Sequence, residues 1–285
     1  MKIIPAKTQR VLSATQISLA DYVINPYKGC EFGCLYCYAQ ENKNIARPSF
    51  FESLTVKLNA PEILRKELIY KKPKRVLLGS TTECFPCQEK NYRITEQILK
   101  ILNENNIPYT ILTKSHLIAE YLPLIAENPG NKIFFTLNFP TDRLIRLFER
   151  KSPNSAKRLQ TIQQIIAARI HLRIHIGPFI PYISILEEVL KIIPEGVKEI
   201  DIELYHHKMG NFIEMLKQIE RNLGRELKNK LAAVYENEKK YLEFAEKIKR
   251  EIKQNMPKYK ANFYYVVPQY QTFYSKEINY GHPLT

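Results

Sequence analysis

Short apolar runs alternate along this chain with longer stretches in which apolar residues recur every three or four positions. The runs have the length of buried strands, whereas the three- and four-residue spacing predicts amphipathic helices. The predicted strands are Tyr22–Asn25, Arg75–Ser80, Tyr109–Thr113, Lys132–Phe139, Leu172–Ile176 and Val197–Leu204. The predicted helices are Ala60–Tyr70, Tyr92–Asn105, Leu117–Glu127, Ser155–Ala168, Ile183–Ile193 and Phe212–Leu223. Strands that alternate with helices in this way predict parallel βαβ units.

The region after Leu223 has a different character. Gly224 is predicted to end the sixth helix, and Arg225–Asn255 is predicted as one long charged helix that stops before Pro257. Its apolar residues recur at three- and four-residue steps. This pattern favours a seam that packs on the core, with a coiled coil to a partner as the alternative.

The end of the chain, Tyr259–Thr285, is rich in tyrosine and carries several lysines. Within it, Asn262–Val267 is predicted as one more strand at the edge of the sheet. Tyrosines beside lysines also suit stacking on nucleic-acid bases, which stays open as an alternative role. Residues 1–223 are therefore predicted as a core domain, and residues 224–285 as a helical, tyrosine-rich extension packed on it.

Six strand–helix units build an α/β fold, either a partial (β/α)6 barrel or a doubly wound sheet, and periodicity does not separate these two. In both arrangements, functional residues lie at the carboxyl ends of the strands. A cysteine-rich segment directly follows the first predicted strand, and Ser80–Glu83, Lys114, Asn138 and Gly177 follow the next four. We therefore expect these segments to meet at one mouth of the fold.

Three cysteines, Cys30, Cys34 and Cys37, fall within eight residues and have the spacing C-x3-C-x2-C. Thiolates this close together can bind one metal centre. Three of them are one too few for a closed zinc site. They suit a cubane iron–sulfur cluster whose fourth iron stays open for a ligand, which indicates chemistry rather than a structural role.

Two alternatives compete with the cluster. A disulfide framework is disfavoured because the chain has five cysteines, an odd number, and its N-terminal residues lack the pattern of a secretory signal. A zinc site on Cys34, Cys37, Cys84 and Cys87 has the right number of thiolates. Its two pairs are far apart in sequence, however, and it leaves Cys30 unused.

The cysteine spacing, with the aromatic Tyr36 just before the last cysteine, resembles the signature of the radical S-adenosylmethionine (radical SAM) superfamily. The flanking residues resemble the branch related to spore photoproduct lyase. The segments that carry this resemblance are Asn25–Cys30, Cys37–Ala39, Leu78–Glu83, Leu112–Ser115 and Gly177–Pro181. The resemblance implies a partial (β/α)6 TIM-like barrel and a [4Fe-4S] cluster that binds S-adenosylmethionine. It further implies reductive cleavage of this cofactor to methionine and a 5′-deoxyadenosyl radical.

Residues near the strand ends are candidates for holding S-adenosylmethionine, whose ribose, amino and carboxylate groups need polar partners. The candidates are Tyr36, Thr82, Glu83, Lys114, Asn138 and Arg158. Thr82 and Glu83 suit the ribose or amino group, and Lys114 or Arg158 suits the carboxylate. The alternatives are a solvated Lys114 and an Asn138 that caps the helix after Thr141.

The segment Glu83–Cys87 departs from the related branch, which has Asp-Pro-Tyr-Gln-Pro at this point. Cys84 is a catalytic candidate because a thiol there can donate a hydrogen atom to a substrate radical. A cysteine does this in spore photoproduct lyase, but Cys84 does not align with it in register, so the resemblance does not carry the role over. The alternative is that Cys84 and Cys87 are two small buried side chains.

The net charge of +14 at pH 7 adds information about partners. From Arg143 to Arg173 there are eight Lys or Arg residues and a single acid, Glu149. This excess favours a polyanionic partner such as nucleic acid, with a solvated basic face as the alternative. No apolar run approaches the length of a membrane span, and the cysteine usage fits a reducing cytoplasm.

With the resemblance, these observations predict a radical SAM enzyme that has a lyase- or repair-like activity on nucleic acid. The same cofactor chemistry on a peptide or small molecule is a second hypothesis, and a non-catalytic zinc-binding protein is a third. The expected partners are nucleic acid and an electron donor such as flavodoxin or ferredoxin.

Overall fold

The computed structural model describes residues 1–42, 46–207 and 211–265, which divide into two compact units. The first unit comprises Met1–Gly33, Ala39–Phe135 and Lys151–Leu172. The second unit comprises Cys34–Tyr38, Thr136–Arg150 and the described residues from Arg173 onwards. The boundary predicted after Leu223 lies inside the second unit, and a separate domain there stays a prediction.

Strands and helices alternate through most of the described chain. The strands are β1 (Lys2–Ala6), β2 (Ser13–Ala14), β3 (Tyr22–Ile24), β4 (Tyr27–Lys28), β5 (Ser53–Lys57), β6 (Val76–Leu78), β7 (Tyr109–Thr113), β8 (Lys132–Thr136), β9 (His171–Phe179), β10 (Glu199–Leu204) and β11 (Lys260–Tyr264). The helices are α1 (Ala39–Asn42), α2 (Arg47–Glu52), α3 (Ala60–Tyr70), α4 (Glu89–Tyr92), α5 (Ile94–Glu104), α6 (Leu122–Ala126), α7 (Asp142–Phe148), α8 (Ser155–Ala167), α9 (Leu186–Ile192), α10 (Phe212–Leu223), α11 (Arg225–Val234) and α12 (Glu238–Asn255), with a 3₁₀ helix over His116–Tyr121.

The strands of the first unit pair in the order β2-β3-β6-β7-β8, and all pairs are parallel except β2 with β3. The order follows the chain without a reversal, as in a barrel, whereas a doubly wound sheet reverses at a switch point. The described strands form no closed barrel. A separate sheet, β1-β5-β4, joins the N-terminal strand to the segment after the cysteines.

The second unit contains β9, β10 and β11 as neighbouring parallel strands. Alternate side chains of a strand point to opposite faces. One face is buried and apolar, with Ile174, Ile176, Ile202 and Phe263. The other face carries the charged residues. Strand β11 confirms the described part of the predicted edge strand.

The predicted single helix over 225–255 is wrong, because the chain breaks between α11 and α12. At the break, the Tyr235 hydroxyl donates a 2.7 Å hydrogen bond to the carbonyl of Tyr205. Asn237 is extended, and its side chain accepts a hydrogen bond from the backbone N–H of Lys240, which starts a new helix. The seam residues Val234 and Ile248 are buried within the unit, as predicted for a core-facing stripe.

No helix in the described ranges is both long enough and apolar enough to cross a membrane. The tyrosines Tyr270, Tyr274 and Tyr280 of the predicted base-stacking tail lie outside the described residues.

Candidate active site

Cys30 follows β4 in the first unit, and a glycine fixes the backbone just before it. Gly29 has φ +92°, and a Cβ at this position would lie 2.1 Å from the carbonyl oxygen of Ser53. Only glycine tolerates this combination. The N–H of Cys30 then donates a 3.0 Å hydrogen bond to the carbonyl of Phe50, which ties the start of the cysteine loop to α2.

Cys34 and Cys37 belong to the second unit, where the backbone of the loop is held by the end of α7. Cys34 and Glu149 form an isolated antiparallel bridge, and the N–H of Leu35 donates a 2.7 Å hydrogen bond to the carbonyl of Phe148. Cys34 is buried, whereas Cys30 and Cys37 are partly exposed. The loop is therefore held by its backbone, and its thiols are not needed for that purpose.

A buried polar network lies beside this loop in the second unit. The Tyr36 hydroxyl donates to Glu149, and the amide nitrogen of Asn138 donates to Tyr36 Oη at 2.9 Å and to Glu149 Oε1 at 3.1 Å. The same amide reaches the carbonyl of Gly177 at 3.1 Å. Asn138 is fully buried, and no described residue donates to its side-chain oxygen. This oxygen is a buried acceptor available to a ligand.

In the first unit, Glu83 joins the ends of β6 and β7. Its carboxylate accepts hydrogen bonds from Thr113 Oγ1 at 2.6 Å, from the Phe85 N–H at 3.0 Å and from the Lys114 N–H at 3.4 Å. Burial raises the pKa of Glu83, and these hydrogen bonds oppose the shift. The carboxylate therefore links the ends of the two strands.

Thr82 and Lys114 lie near Glu83 in the same unit. Thr82 is buried, and its hydroxyl contacts Asn25 Oδ1 at 3.5 Å and the Tyr27 carbonyl at 3.4 Å. Lys114 is half-buried. The structure thus places Thr82, Glu83 and Lys114 at one set of strand ends, as the sequence predicts, while their roles stay predictions.

Arg158 has a different setting. It is fully buried in α8, and its guanidinium binds the Pro153 carbonyl at 2.9 Å and the Ser152 hydroxyl at 2.5 Å. These contacts stabilise the loop before α8. Its predicted role toward a carboxylate stays a prediction.

The two cysteines of the second pair differ in exposure. Cys84 is fully buried, and burial, followed by the nearby charges of Glu83, Glu89 and Cys30, raises the pKa of its thiol well above the usual range. Cys87 is exposed, and its backbone N–H donates a 2.8 Å hydrogen bond to Glu31. Cys84 is therefore a protonated thiol at neutral pH, while Cys87 is accessible to reagents.

Residues 24–200, more than half of the chain, match the family model of the Radical SAM superfamily. The chain belongs to the Radical SAM superfamily. Members of this superfamily use a [4Fe-4S] cluster and S-adenosylmethionine, and this protein is a radical SAM enzyme.

Similar proteins are found in archaea and bacteria. An uncharacterized protein of Methanocaldococcus jannaschii is 28% identical over 191 residues, which cover 67% of this chain and 72% of the relative. An uncharacterized protein of Mycobacterium tuberculosis is 30% identical over 172 residues, which cover 57% of this chain but only 51% of the relative.

Among solved structures, a spore photoproduct lyase with a cysteine-to-serine substitution has a TM-score of 0.64 and 17% identity, and the match covers 92% of this chain and 82% of that chain. A spore photoproduct lyase variant with bound AdoMet and dinucleoside spore photoproduct has a TM-score of 0.54 and 18% identity, over 77% of this chain and 65% of that chain. At these identities, the likeness shows the fold, which is the TIM-like α/β fold of radical SAM enzymes.

The donor set of this radical SAM enzyme fits its cofactors. Cys30, Cys34 and Cys37 offer three thiolates, which is the number that leaves one iron of a cubane open. No three His, Cys, Asp or Glu side chains among the described residues converge as ligands of one ion. In a cubane cluster each of the three cysteine thiolates binds a different iron. The three sulfur atoms therefore do not have to meet around a single ion. The buried acceptor on Asn138 suits a hydrogen-bond donor of S-adenosylmethionine.

Sequence reasoning missed two residues of this radical SAM site. Asn25 accepts a hydrogen bond from the Thr81 N–H and donates one to Ser80 Oγ, both at 3.1 Å, and so holds the loop after β6. In the sequence, Glu149 is only the single acid of a basic segment. Two signals point to Asn25 in the sequence: its place at the end of an apolar strand, which also singled out Asn138, and its position in a segment that resembles the related branch.

Proposed function

We propose that this radical SAM enzyme acts on nucleic acid in a lyase- or repair-like reaction. The observation that carries the proposal is a row of exposed arginines, Arg143, Arg146 and Arg150, on and just after α7. These three residues are called the α7 arginines below. Phosphate groups are their natural partners because arginine binds them in a bidentate manner.

The acids of the same segment do not cancel this charge. Glu149 is fully buried and hydrogen-bonded to Tyr36, and Asp142 is partly buried at the start of the helix. The arginines therefore present a positive surface to solvent. Because Phe148 and Glu149 pair with the backbone of the cysteine loop, this surface lies beside the loop within the second unit.

The known ligand of a similar protein supports the same substrate class. A spore photoproduct lyase of this fold was solved in complex with dinucleoside spore photoproduct, and it has a TM-score of 0.62 to this chain. A dinucleoside is a fragment of nucleic acid. We extend this substrate class to the present chain because the α7 arginines supply the contacts to phosphate that a longer nucleic acid needs.

When bound, the cluster and S-adenosylmethionine would supply reductive cleavage chemistry, which uses one electron and gives methionine and a 5′-deoxyadenosyl radical. In this proposal Cys30, Cys34 and Cys37 hold the cluster. Lys114 binds the carboxylate of S-adenosylmethionine, Glu83 and Thr82 bind its amino group or ribose, and Asn138 accepts a hydrogen bond at its buried oxygen.

Cys84 is the proposed hydrogen-atom donor to the product radical. The S–H bond breaks homolytically, a C–H bond forms on the product, and one electron and one proton return the thiyl radical to a thiol. The electron comes from the donor that also reduces the cluster, a flavodoxin or ferredoxin in the cytoplasm. Full burial of the thiol suits this role because it keeps a radical away from solvent.

The test is fluorescence anisotropy of labelled single-stranded DNA with the anaerobically reconstituted enzyme over a range of salt. Affinity is expected to fall steeply as salt rises. Replacing the three α7 arginines by Gln is expected to lower the log–log slope by about two, since each lost phosphate contact on single strands removes roughly 0.7.

A matched control removes three other exposed positive charges, Lys66, Lys100 and Lys191, by substitution to Gln. This variant has the same net charge as the arginine variant and is expected to keep the wild-type slope. Equal slopes for both variants, or no binding at low salt, would contradict the proposal and favour a peptide or small-molecule substrate.

A further inference from the structure

The small sheet β1-β5-β4 of the first unit has one buried face and one exposed face. Residues that lie opposite each other on neighbouring strands have their side chains on the same face. Tyr27 and Val56 are paired in this way, and neither has any exposed surface. Lys28, Thr55 and Ile4 form the next row across the three strands and lie on the other face. Lys28 is exposed, and Ile4 is 37% exposed.

Every charged residue of these three strands is a lysine. Lys57 uses its ammonium group within the unit, where Nζ donates a 2.6 Å hydrogen bond to the carbonyl of Asn25. Lys2 and Lys28 are exposed, and neither forms an ion pair within the described part of the chain. Lys2 shares the face of Ile4, because it lies two positions before it on the same strand. The exposed face therefore carries two positive charges that have no acidic partner in the protein.

The same sheet leads directly to the first cysteine of the signature. Lys28 is followed by Gly29 and Cys30, and two residues of chain span at most about 7 Å. Cys30 is partly exposed, and its backbone is fixed by the hydrogen bond from its N–H to the carbonyl of Phe50. Electron transfer slows steeply as the distance between redox groups grows. A redox protein that docks on this face is therefore close to the iron that Cys30 binds.

We propose that the exposed face of this sheet is the docking surface for an acidic protein that carries one electron. The face, called the lysine face below, consists of Lys2, Ile4, Lys28 and Thr55. One electron passes from the carrier protein, which is oxidised, to the cluster, which is reduced. The inference uses only the electron that radical SAM chemistry consumes, so it does not depend on the proposed action on nucleic acid.

The kind of charge favours a carrier protein over nucleic acid at this face. Arginine binds phosphate through a planar fork, as proposed for the α7 arginines, whereas lysine is a hydrated point charge. Point charges at an exposed surface attract a protein of opposite sign and speed its association. Ile4 adds an apolar contact to the face. A carrier must also leave after each turnover, and electron-transfer complexes accordingly have small, weak interfaces.

The first experiment measures binding of a purified flavodoxin, an acidic flavoprotein, to the anaerobically reconstituted enzyme by isothermal titration calorimetry. The wild-type affinity is expected to fall as salt rises. The double variant Lys2→Gln, Lys28→Gln is expected to bind roughly three- to tenfold more weakly at low salt, the size of two exposed ion pairs. The double variant Lys2→Arg, Lys28→Arg keeps both charges and should bind as wild type.

A matched control removes two exposed lysines from helices of the same unit. In the double variant Lys66→Gln, Lys100→Gln the net charge falls by the same amount, but both lysines lie outside the lysine face, on α3 and α5. This variant is expected to bind flavodoxin as wild type. The comparison therefore separates a docking surface from a general effect of net charge.

Stopped-flow absorption separates docking from the properties of the cluster. Flavodoxin hydroquinone gives one electron to the cluster and becomes the semiquinone. At flavodoxin concentrations below saturation, the rate of this reduction should fall by the same factor in the Lys2→Gln, Lys28→Gln variant. Reduction by dithionite, which needs no protein docking surface, should keep the wild-type rate. The iron content of the variant should also be unchanged, because both lysines lie outside the signature.

The outcomes distinguish this inference from the proposed function. Wild-type affinity for flavodoxin in the Lys2→Gln, Lys28→Gln variant would overturn the docking surface, and so would an equal loss in the Lys66→Gln, Lys100→Gln control. Absence of flavodoxin binding by the wild-type enzyme at low salt would overturn it as well. If the Lys2→Gln, Lys28→Gln variant lost affinity for labelled single-stranded DNA while it kept affinity for flavodoxin, the lysine face would belong to nucleic acid. Unchanged DNA binding by the α7 arginine variant would contradict the proposed function alone.

Discussion

The hydroxyl of Tyr36 donates a hydrogen bond to the buried carboxylate of Glu149, which lies 113 residues further along the chain. The backbones of the same two segments also pair, through Cys34 with Glu149 and Leu35 with Phe148. A carboxylate buried in this way depends on its hydrogen bonds, because desolvation penalises its charged form. The contact therefore fixes the residue that precedes Cys37 in the cysteine signature.

Removing the Tyr36 hydroxyl tests the strength of this contact. Tyr36→Phe is expected to lower the free energy of unfolding by about 1–3 kcal/mol, since it leaves a buried acceptor with one partner fewer. Urea denaturation of the cluster-free protein measures the change. The control is Tyr70→Phe, a tyrosine that is 69% exposed, which should shift the unfolding free energy by less than about 0.5 kcal/mol.

A second substitution shows whether the loss comes from Glu149. In the double variant Tyr36→Phe with Glu149→Gln, the two effects should be non-additive by at least about 0.5 kcal/mol, as expected for groups in contact. Additive effects would show that the Tyr36 hydroxyl stabilises the protein by some other route.

The cysteine signature gives a prediction on metal content. Anaerobically reconstituted protein should hold about four irons per chain, and Cys30→Ala, Cys34→Ala or Cys37→Ala should abolish the visible absorption of the cluster. Cys87→Ala is the matched control, since Cys87 is exposed and lies outside the signature, and it should keep the iron. Iron and acid-labile sulfide analysis are the measurements. Stoichiometric zinc without iron, lost in Cys87→Ala, would refute the assignment.

Regular periodicity explains which elements the sequence predicts well. Ala60–Tyr70, Tyr109–Thr113 and Phe212–Leu223 have the predicted bounds, because their apolar positions follow one period from end to end. The pairing of β1 with β5 was missed, since it joins segments about fifty residues apart and leaves β1 largely exposed. The break at Tyr235–Asn237 interrupts a regular period, so periodicity does not predict it; its one local signal is Asn237, which caps α12.

The same distinction applies to the site. The sequence singled out Glu83 and Asn138 because each follows an apolar strand, and the structure finds both buried with several hydrogen bonds. Glu149 has no such signal, because it follows a surface helix in a basic segment and is buried only through its long-range contact with Tyr36.

The predicted role of Lys114 is testable without a substrate. Lys114→Ala is expected to weaken the binding of S-adenosylmethionine by about 1–3 kcal/mol, the range for a hydrogen bond to a charged group. Equilibrium dialysis with the cluster-loaded enzyme measures this affinity. Lys100→Ala, which removes an exposed lysine paired with Glu96, is the control and should bind as wild type. An unchanged affinity in Lys114→Ala would remove this residue from the cofactor site.

The thiol of Cys87 gives a prediction with a pH dependence. Partial burial, followed by the charge and hydrogen bond of Glu31, raises the pKa of Cys87 above its usual value. The thiolate is the reactive form, so alkylation by iodoacetamide at about pH 8 should be slower than for an unperturbed thiol and should speed up as the pH rises. Glu31→Gln lowers the pKa and should accelerate the reaction at that pH.

Mass spectrometry of digested protein separates the two sites of the second cysteine pair. Cys84 is fully buried and has a strongly raised pKa, so it should remain unmodified while Cys87 reacts. A Glu31→Gln variant that reacts no faster than the wild type would show that Glu31 does not control the Cys87 thiol. Modification of Cys84 at the rate of Cys87 would contradict its burial.

The C-terminal strand gives the last prediction. Truncation after Asn255 removes β11, which pairs in parallel with β10 and buries Phe263 to 1% exposure. Truncation after Tyr265 keeps this strand, so the longer deletion should lower the melting temperature relative to the shorter one.

Phe263→Ala should reproduce most of the loss, about 3–5 kcal/mol, because it leaves a cavity where the ring packs. Tyr259→Phe, outside the strand, is a control for substitution near the C-terminus. The protein that ends after Tyr265 keeps β11 and lacks the tyrosines beyond that residue. Its affinity for DNA therefore tests whether those tyrosines contribute to binding. If both truncations melt together, β11 contributes little to stability, and the alternative role of this region in base stacking gains support.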